Sequence, residues 1–232
     1  MPQTGHSWGN RCVAISTSGQ LVVTGNGDNS ALLWDAATSK QLRRFVAGRR
    51  MVGVETYGVT SVALSLEQPE SRHLVTASEG SGIAQLWEVK SGREIWRVDE
   101  VSKVLGFSPN SEFVILRTKK RRGVQHNSIW NRETGKELWV FGGEFAISPD
   151  SRRIAVFAGN VLFVRNLLSG VITRELVGHQ GRIASLAWSP SDGRYLISGS
   201  VDETVRLWDT KTGDLVRSFS DDIGAVKSVA FS

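Results

Sequence analysis

The chain has 232 residues, 40% of them hydrophobic and 22% charged, and its 28 Lys and Arg against 23 Asp and Glu give a formal net charge of +5. A body of this size buries roughly 70% of its extended-chain surface without covalent staples, and the single cysteine, Cys12, excludes an intrachain disulfide. With no N-terminal apolar run and no apolar stretch long enough to span a bilayer, neither secretion nor helical membrane insertion is expected. A cytoplasmic or other reducing, soluble compartment is the expectation, and the modest basic excess favours anionic partners only weakly.

In chain order, the first β-rich runs are Val13 to Ser16, Leu21 to Thr24 and Ala31 to Trp34. A second set follows at Val62 to Ser65, Leu74 to Thr76 and Ala84 to Trp87. A third and a fourth set keep the same order with weaker signals. The fifth is the cleanest, with Ile183 to Ser189, Tyr195 to Ser200, Thr204 to Asp209 and Leu215 to Phe219 separated by turn residues. Each set reads as a four-stranded antiparallel sheet.

One phrase punctuates these sets. Trp34-Asp35, Trp87-Glu88, Trp130-Asn131 and Trp208-Asp209 each follow Leu or Ile, and Val164-Arg165-Asn166 is a worn copy. A second marker, a Ser after an apolar-small-apolar triplet, stands at Ser16, Ser65, Ser108, Ser148, Ser189 and Ser232, in steps of 49, 43, 40, 41 and 43. Periods near 40 with short, Gly-punctuated strands indicate propeller blades. The small residue of each triplet, Ala14, Ala63, Gly106, Ala146, Ala187 and Ala230, suits the narrow taper of a propeller axis, which places the marker strand innermost. The Trp phrases lead into Thr/Ser-Gly turns at Ser91-Gly92, Thr134-Gly135, Ser169-Gly170 and Thr212-Gly213, where Gly supplies the positive φ; Thr38-Ser39 is the departure.

On these residues the chain resembles the WD-repeat β-propeller family over essentially its whole length. The fold expected is all-β, a single domain over 1–232 with blades at about 6–45, 59–98, 101–141, 142–177 and 179–219, and the first strand of a sixth at 223–232. The resemblance implies a buried hydrogen-bond relay of His, Ser or Thr, Asp and Trp. The matching positions are His6, Thr24, Asp28 and Trp34 in the first copy and His179, Ser198, Asp202 and Trp208 in the fifth. The second copy keeps Thr76 and Trp87, the third only Trp130, and the fourth none. Family members commonly close with seven blades, which needs about 300 residues, so the ring is expected to be incomplete, with unpaired blade edges open to self-association.

No catalytic constellation is expected. His179, Ser198 and Asp202 have the residue types of a nucleophilic triad, but a repeated motif explains them as cement between strands, where each satisfied buried bond contributes about 0.5–1.5 kcal/mol. His6, His73, His126 and His179 are dispersed and Cys12 stands alone, so neither a metal nor a cofactor is expected. Gly25-Asn26-Gly27 lacks the Lys and the following helix of a phosphate loop.

The resemblance implies a protein-interaction scaffold. In an antiparallel blade the turn between strands two and three and the exit from strand four emerge at one end, here termed the top face. Two insertions enlarge it: Phe45 to Ser65 spans 20 residues where Phe219 to Ser232 spans 13, and Leu116 to Trp130 spans 14 where Thr24 to Trp34 spans 10. The first carries Arg49 and Arg50, the second Lys119, Lys120, Arg121 and Arg122. These six residues are the candidate partner-binding arc for an acidic protein segment. The alternative is an RNA- or DNA-binding propeller whose clusters contact phosphates, although only Tyr57 and His126 are near enough in sequence to stack bases.

Overall fold

The computed structural model describes residues 9–47, 58–119, 124–220 and 224–231. Twenty strands form five four-stranded antiparallel sheets, each taken in chain order, and no helix occurs among the described residues. The expected fold class and blade count are met. The first sheet is β1 (Asn10–Ile15), β2 (Leu21–Asn26), β3 (Ser30–Asp35) and β4 (Gln41–Val46). The second is β5 (Ser61–Leu64), β6 (His73–Ser78), β7 (Ile83–Glu88) and β8 (Glu94–Val98). The third is β9 (Val101–Phe107), β10 (Phe113–Lys119), β11 (Gln125–Asn131) and β12 (Glu137–Phe141). The fourth is β13 (Glu144–Ile147), β14 (Arg153–Ala158), β15 (Val161–Asn166) and β16 (Ile172–Leu176). The fifth is β17 (Ile183–Trp188), β18 (Tyr195–Ser200), β19 (Val205–Asp209) and β20 (Leu215–Phe219).

The chain divides into two compact units, Met1–Glu137 and Leu138–Ser232. In the first unit, Val23, Leu33 and Phe45 of the first sheet bury against Leu64, Leu74 and Trp87 of the second. The Phe45 and Trp87 ring centroids lie 5.7 Å apart. Val75, Ala84 and Leu86 on the other face of the second sheet meet Val104, Phe107, Val114 and Leu116 of the third. In the second unit, Ala155, Leu162, Val164 and Leu176 of the fourth sheet pack on Ile183, Trp188, Leu196 and Trp208 of the fifth. Each buried Leu, Val or Phe contributes about 1.5–3 kcal/mol, so these inter-sheet seams carry the stability.

The marker serines hold the first hairpin of every sheet. Ser16, Ser108, Ser148 and Ser189 each accept, through Oγ, the N–H of the residue that opens or precedes the second strand: Leu21, Phe113, Arg153 and Tyr195, all at 3.0 Å. Ser65 does the same for Arg72 at 3.1 Å and His73 at 3.0 Å. A side-chain oxygen of this reach satisfies a backbone donor inside a tight turn, which is why Ser recurs there.

The residue after each Trp position caps the next turn. Asp35 Oδ1 accepts both Thr38 N and Thr38 Oγ1 at 2.7 Å, and Asn131 and Asn166 bind Thr134 and Ser169 in the same way. The third residue of the fourth strand then reaches over the neighbouring turn. Trp96 Nε1 donates to Arg132 O at 2.6 Å and Trp139 Nε1 to Leu167 O at 2.8 Å. Arg43 donates to Lys90 O and Ser91 O, and Arg174 to Lys211 O.

The expected first strand of a sixth sheet is not formed as a strand. Residues 224–231 have no ladder partner among the described residues, and a strand exists only where a ladder does. They are anchored instead to the fifth sheet, Val226 N donating to Ser200 O at 3.0 Å and Val229 N to Ser185 Oγ at 3.2 Å.

Candidate functional site

The fifth sheet holds four polar side chains in one chain of hydrogen bonds. Trp208 on β19 donates through Nε1 to Ser198 Oγ on β18 at 2.8 Å, and Ser198 Oγ lies 2.8 Å from His179 Nε2. The other ring nitrogen, Nδ1, lies 2.9 Å from Asp202 Oδ2. Asp202 also accepts Thr204 Oγ1 at 2.6 Å, Thr204 N at 3.0 Å and Gln180 N at 2.8 Å. Burial pushes the Asp202 carboxyl up, but the bonds from Thr204, His179 and Gln180 outweigh it and hold the group far below the usual carboxylate range. Burial holds His179 below its ordinary value despite the Asp202 charge. A neutral imidazole with Nδ1–H facing an ionised Asp202 therefore accepts the Ser198 proton at Nε2.

This is the tautomer a nucleophilic triad uses, but the surroundings differ. Ser198 is 0% and His179 2% exposed, and the Ser198 oxygen is already an acceptor for Trp208. No substrate carbon can reach that oxygen.

In the first sheet, Trp34 Nε1 donates to Thr24 Oγ1 at 2.9 Å. Asp28 accepts Ser30 N at 3.0 Å, Ser30 Oγ at 2.5 Å and Arg44 Nη2 at 3.0 Å. His6 lies outside the described residues. The second sheet joins Trp87 Nε1 to Thr76 Oγ1 at 3.0 Å.

Three arrangements escaped the sequence reading. In the third sheet Trp130 Nε1 donates to Ser128 Oγ on its own strand at 2.6 Å, while Leu116 stands across from Ser128 where the first, second and fifth sheets place the hydroxyl. In the fourth sheet Arg165 fills the Trp position, as the worn phrase Val164-Arg165-Asn166 implies, and what the sequence does not reveal is its guanidinium 5.9 Å from the centroids of both Trp139 and Phe163. A third feature compensates for the second sheet's missing His and Asp. Glu67 accepts Ser65 Oγ at 2.6 Å, lies 3.3 Å from His73 Nδ1 and pairs with Arg132 of the third sheet. Burial pushes Glu67 up, yet these donors hold it below its ordinary value, and burial lowers His73. The signal available was the longer Ser65 to His73 connection.

Of the candidate partner-binding residues, Lys119 is described: it ends β10, and its Nζ pairs with Glu79 Oε1 at 3.3 Å with both side chains exposed. Arg49, Arg50, Lys120, Arg121 and Arg122 lie outside the described residues. A groove of about 1260 Å³ in the first unit is lined by Leu21, Leu33, Leu42 and Arg43 of the first sheet with Pro69 and Val89 of the second. Among the described residues no group of His, Cys, Asp and Glu is arranged to hold a metal ion.

The repeat described as WD domain, G-beta repeat matches residues 3–35 and 170–209, which fall on the first sheet and across the fourth and fifth. The chain is 36% identical over 90 residues to an uncharacterized WD repeat-containing protein of Synechocystis sp., covering 38% of this chain and 26% of that one. It is 24% identical over 231 residues to Protein tipD of Dictyostelium discoideum, covering 94% of this chain and 35% of that one. It is 30% identical over 106 residues to a Denticleless protein homolog of Xenopus tropicalis, covering 43% of this chain and 15% of that one. The matched stretches thus span between 15% and 35% of the length of these three relatives.

Proposed function

Because the chain belongs to the WD-repeat family, we propose that it is a non-catalytic scaffold that binds an acidic segment of another protein on its top-face loops. The burial of the Ser198 hydroxyl between Trp208 and His179 supports the non-catalytic half of this reading: the triad-like constellation of the fifth sheet is consumed in holding strands together. WD-repeat sheets are frames, and recognition falls to the connections between strands. Lys119, at the β10 end from which one basic insertion departs, supports the choice of an acidic partner. The single cysteine supports a cytoplasmic or other reducing, soluble compartment.

The test replaces Arg49, Arg50, Lys119, Lys120, Arg121 and Arg122 with Ser and measures partner capture across a salt series. Loss of capture, with a steep salt dependence in the parent chain, is the expected result. Capture that is unchanged at every salt concentration removes the arc.

The consecutive cations Lys119 to Arg122 also favour a second reading, nucleic-acid binding through phosphate contacts. A gel-shift titration with random-sequence RNA separates the two, and no retardation at low salt ends this alternative.

A further inference from the structure

The first and fifth sheets each leave open a face whose counterparts elsewhere are buried. On the first sheet Ile15 stands across from Val22, and Val22 across from Trp34. The corresponding residues of the second sheet, Leu64, Leu74 and Trp87, bury against Val23, Leu33 and Phe45, and those of the fifth, Trp188, Leu196 and Trp208, against Ala155, Val164 and Leu176. Ile15 is 62% exposed where Leu64 is 5% and Trp188 7%, and Val22 and Trp34 are half-buried where Leu74, Leu196 and Trp208 are buried. The fifth sheet shows the converse. Ile197, Leu207 and Phe219 occupy the positions of Val23, Leu33 and Phe45. Phe219 is nevertheless 44% exposed where Phe45 is 1%, and Ile197 and Leu207 are half-buried where Val23 and Leu33 are buried. Single exposed apolar residues are ordinary, whereas contiguous clusters mark contact surfaces.

A second observation points the same way. Arg217 is the third residue of β20, and its counterparts Arg43, Trp96, Trp139 and Arg174 each donate to a carbonyl in the following sheet's turn. Arg217 is exposed, its guanidinium 5.9 Å from the Phe219 centroid, and it has no hydrogen bond or ion pair among the described residues. The first sheet's turn has Ser39 where the covered turns have Gly, and a flexible arginine can bend around that Cβ where an indole cannot. Residues 224–231 lie on the inner end of the fifth sheet's open face, with Val226 and Val229 against Gly199. Among the described residues the bonds from Val226 N and Val229 N hold this segment, without a ladder.

We propose that the chain associates head to tail with a second copy of itself: Ile197, Leu207 and Phe219 of one copy dock on Ile15, Val22 and Trp34 of the next, as Val23, Leu33 and Phe45 pack on Leu64, Leu74 and Trp87 within one chain. A second copy is the occupant because each open face carries the residue set that the counterparts of the other face bury against. Arg217 then reaches over the first sheet's turn of the neighbouring copy, and residues 224–231 give way to its β1. The contact is made by sheet faces rather than by strand edges, and it goes beyond the scaffold reading without depending on it. The two surfaces differ, so each pair keeps one of each kind free and association continues past the dimer.

The test measures molar mass by sedimentation equilibrium over a concentration series for the full chain, for Ile15→Glu, for Phe219→Glu, and for the two variants mixed. Both residues are exposed, and circular dichroism checks that each variant folds. Val13→Glu and Arg217→Glu, also at exposed positions, replace either variant whose spectrum departs from that of the parent. Expected are a parent mass that rises with concentration beyond two chains and association at least about tenfold weaker for each variant alone. The mixture is expected to form one-to-one pairs and nothing larger, because Ile15→Glu keeps the fifth-sheet face intact and Phe219→Glu keeps the first-sheet face. A parent that stays at the mass of one chain, association that survives either change, or a mixture that does not pair overturns the proposal. Each of these outcomes leaves the basic-arc reading standing, since Lys119 and its neighbours are untouched in every variant.

Discussion

Trp139 on β12 closes over Gly170: its Nε1 donates to Leu167 O at 2.8 Å, and a Cβ placed on Gly170 would stand 2.6 Å from the indole. The same contact recurs between Trp96 and Gly135, Arg43 and Gly92, and Arg174 and Gly213. The Gly of the repeated turn thus answers two demands, a positive φ and a neighbour's side chain laid across it. Ser39 holds the corresponding position of the first sheet's turn with a φ of 55°.

Gly170→Ala therefore faces both penalties. The left-handed backbone, φ +71°, costs an L side chain about 1–2 kcal/mol, and overpacking against the ring adds about 1–3 kcal/mol. Gly19 has the same φ of +71° with nothing within 4 Å, so Gly19→Ala isolates the backbone part. Chemical denaturation of both variants is expected to show Gly170→Ala as the more damaging; equal losses would mean that the indole lid contributes nothing.

Ser198→Ala removes an oxygen shared by Trp208 and His179 in a site with no solvent access. Two buried polar groups lose a partner, and each costs about 1–3 kcal/mol, so a loss of about 2–6 kcal/mol is expected. Thr24→Ala, where the Trp34 indole is only partly buried and water can substitute, is expected to cost about 1 kcal/mol. Thermal unfolding that ranks the two in the opposite order would show that neither the number of bonds lost nor their burial sets the cost.

Stability falls on the acid side in two stages. His179 and His73 both have folded pKa values below their ordinary value, chiefly through burial, so the unfolded chain binds those protons first. Stability is full above the unfolded histidine value near 6.5 and declines below it. Asp202 is also depressed, so its contribution is present above the unfolded carboxylate value near 4 and fades only as pH falls further. Denaturant midpoints between pH 7.5 and 5 should drop in the parent chain and drop less in His179→Gln. A midpoint that rises on acidification would reverse the assigned sign.

The repeat was legible because the Trp-Asp phrase and the marker Ser recur at a fixed period, and each does a local job that the chain must repeat in every sheet: a cross-strand anchor, a turn cap, a hairpin latch. What period alone hides is substitution by a different residue doing the same job. Arg165 lies over aromatic rings where the other sheets place an indole, and Glu67 with His73 and Arg132 ties the second sheet to the third where a His-Asp pair is absent. The Glu67 cluster does not resemble the motif it replaces, and Arg165 is legible only as a worn copy of the Trp phrase. The uncapped 224–231 segment was unreadable for another reason, since strand propensity cannot supply a ladder partner.

Ser128 offers the sharpest case, because its hydroxyl has crossed the ladder. Thr24 faces Leu32, Thr76 faces Gln85 and Ser198 faces Arg206, but in the third sheet Leu116 on β10 faces Ser128 on β11. The indole still finds an oxygen, now two residues back on its own strand. Ser128→Leu alone strands the Trp130 Nε1 and crowds a second Leu against Leu116, both at 0% exposure. Leu116→Thr alone opens a cavity in the core that Leu116 shares with Val104 and Val114. Each single change is expected to cost about 1–3 kcal/mol. The double variant restores the arrangement of the first sheet, one hydroxyl on the second strand and one Leu on the third, and should recover at least about 1 kcal/mol of the summed loss. Simple additivity in the double-mutant cycle would mean that the two positions are independent and that the exchange is accidental.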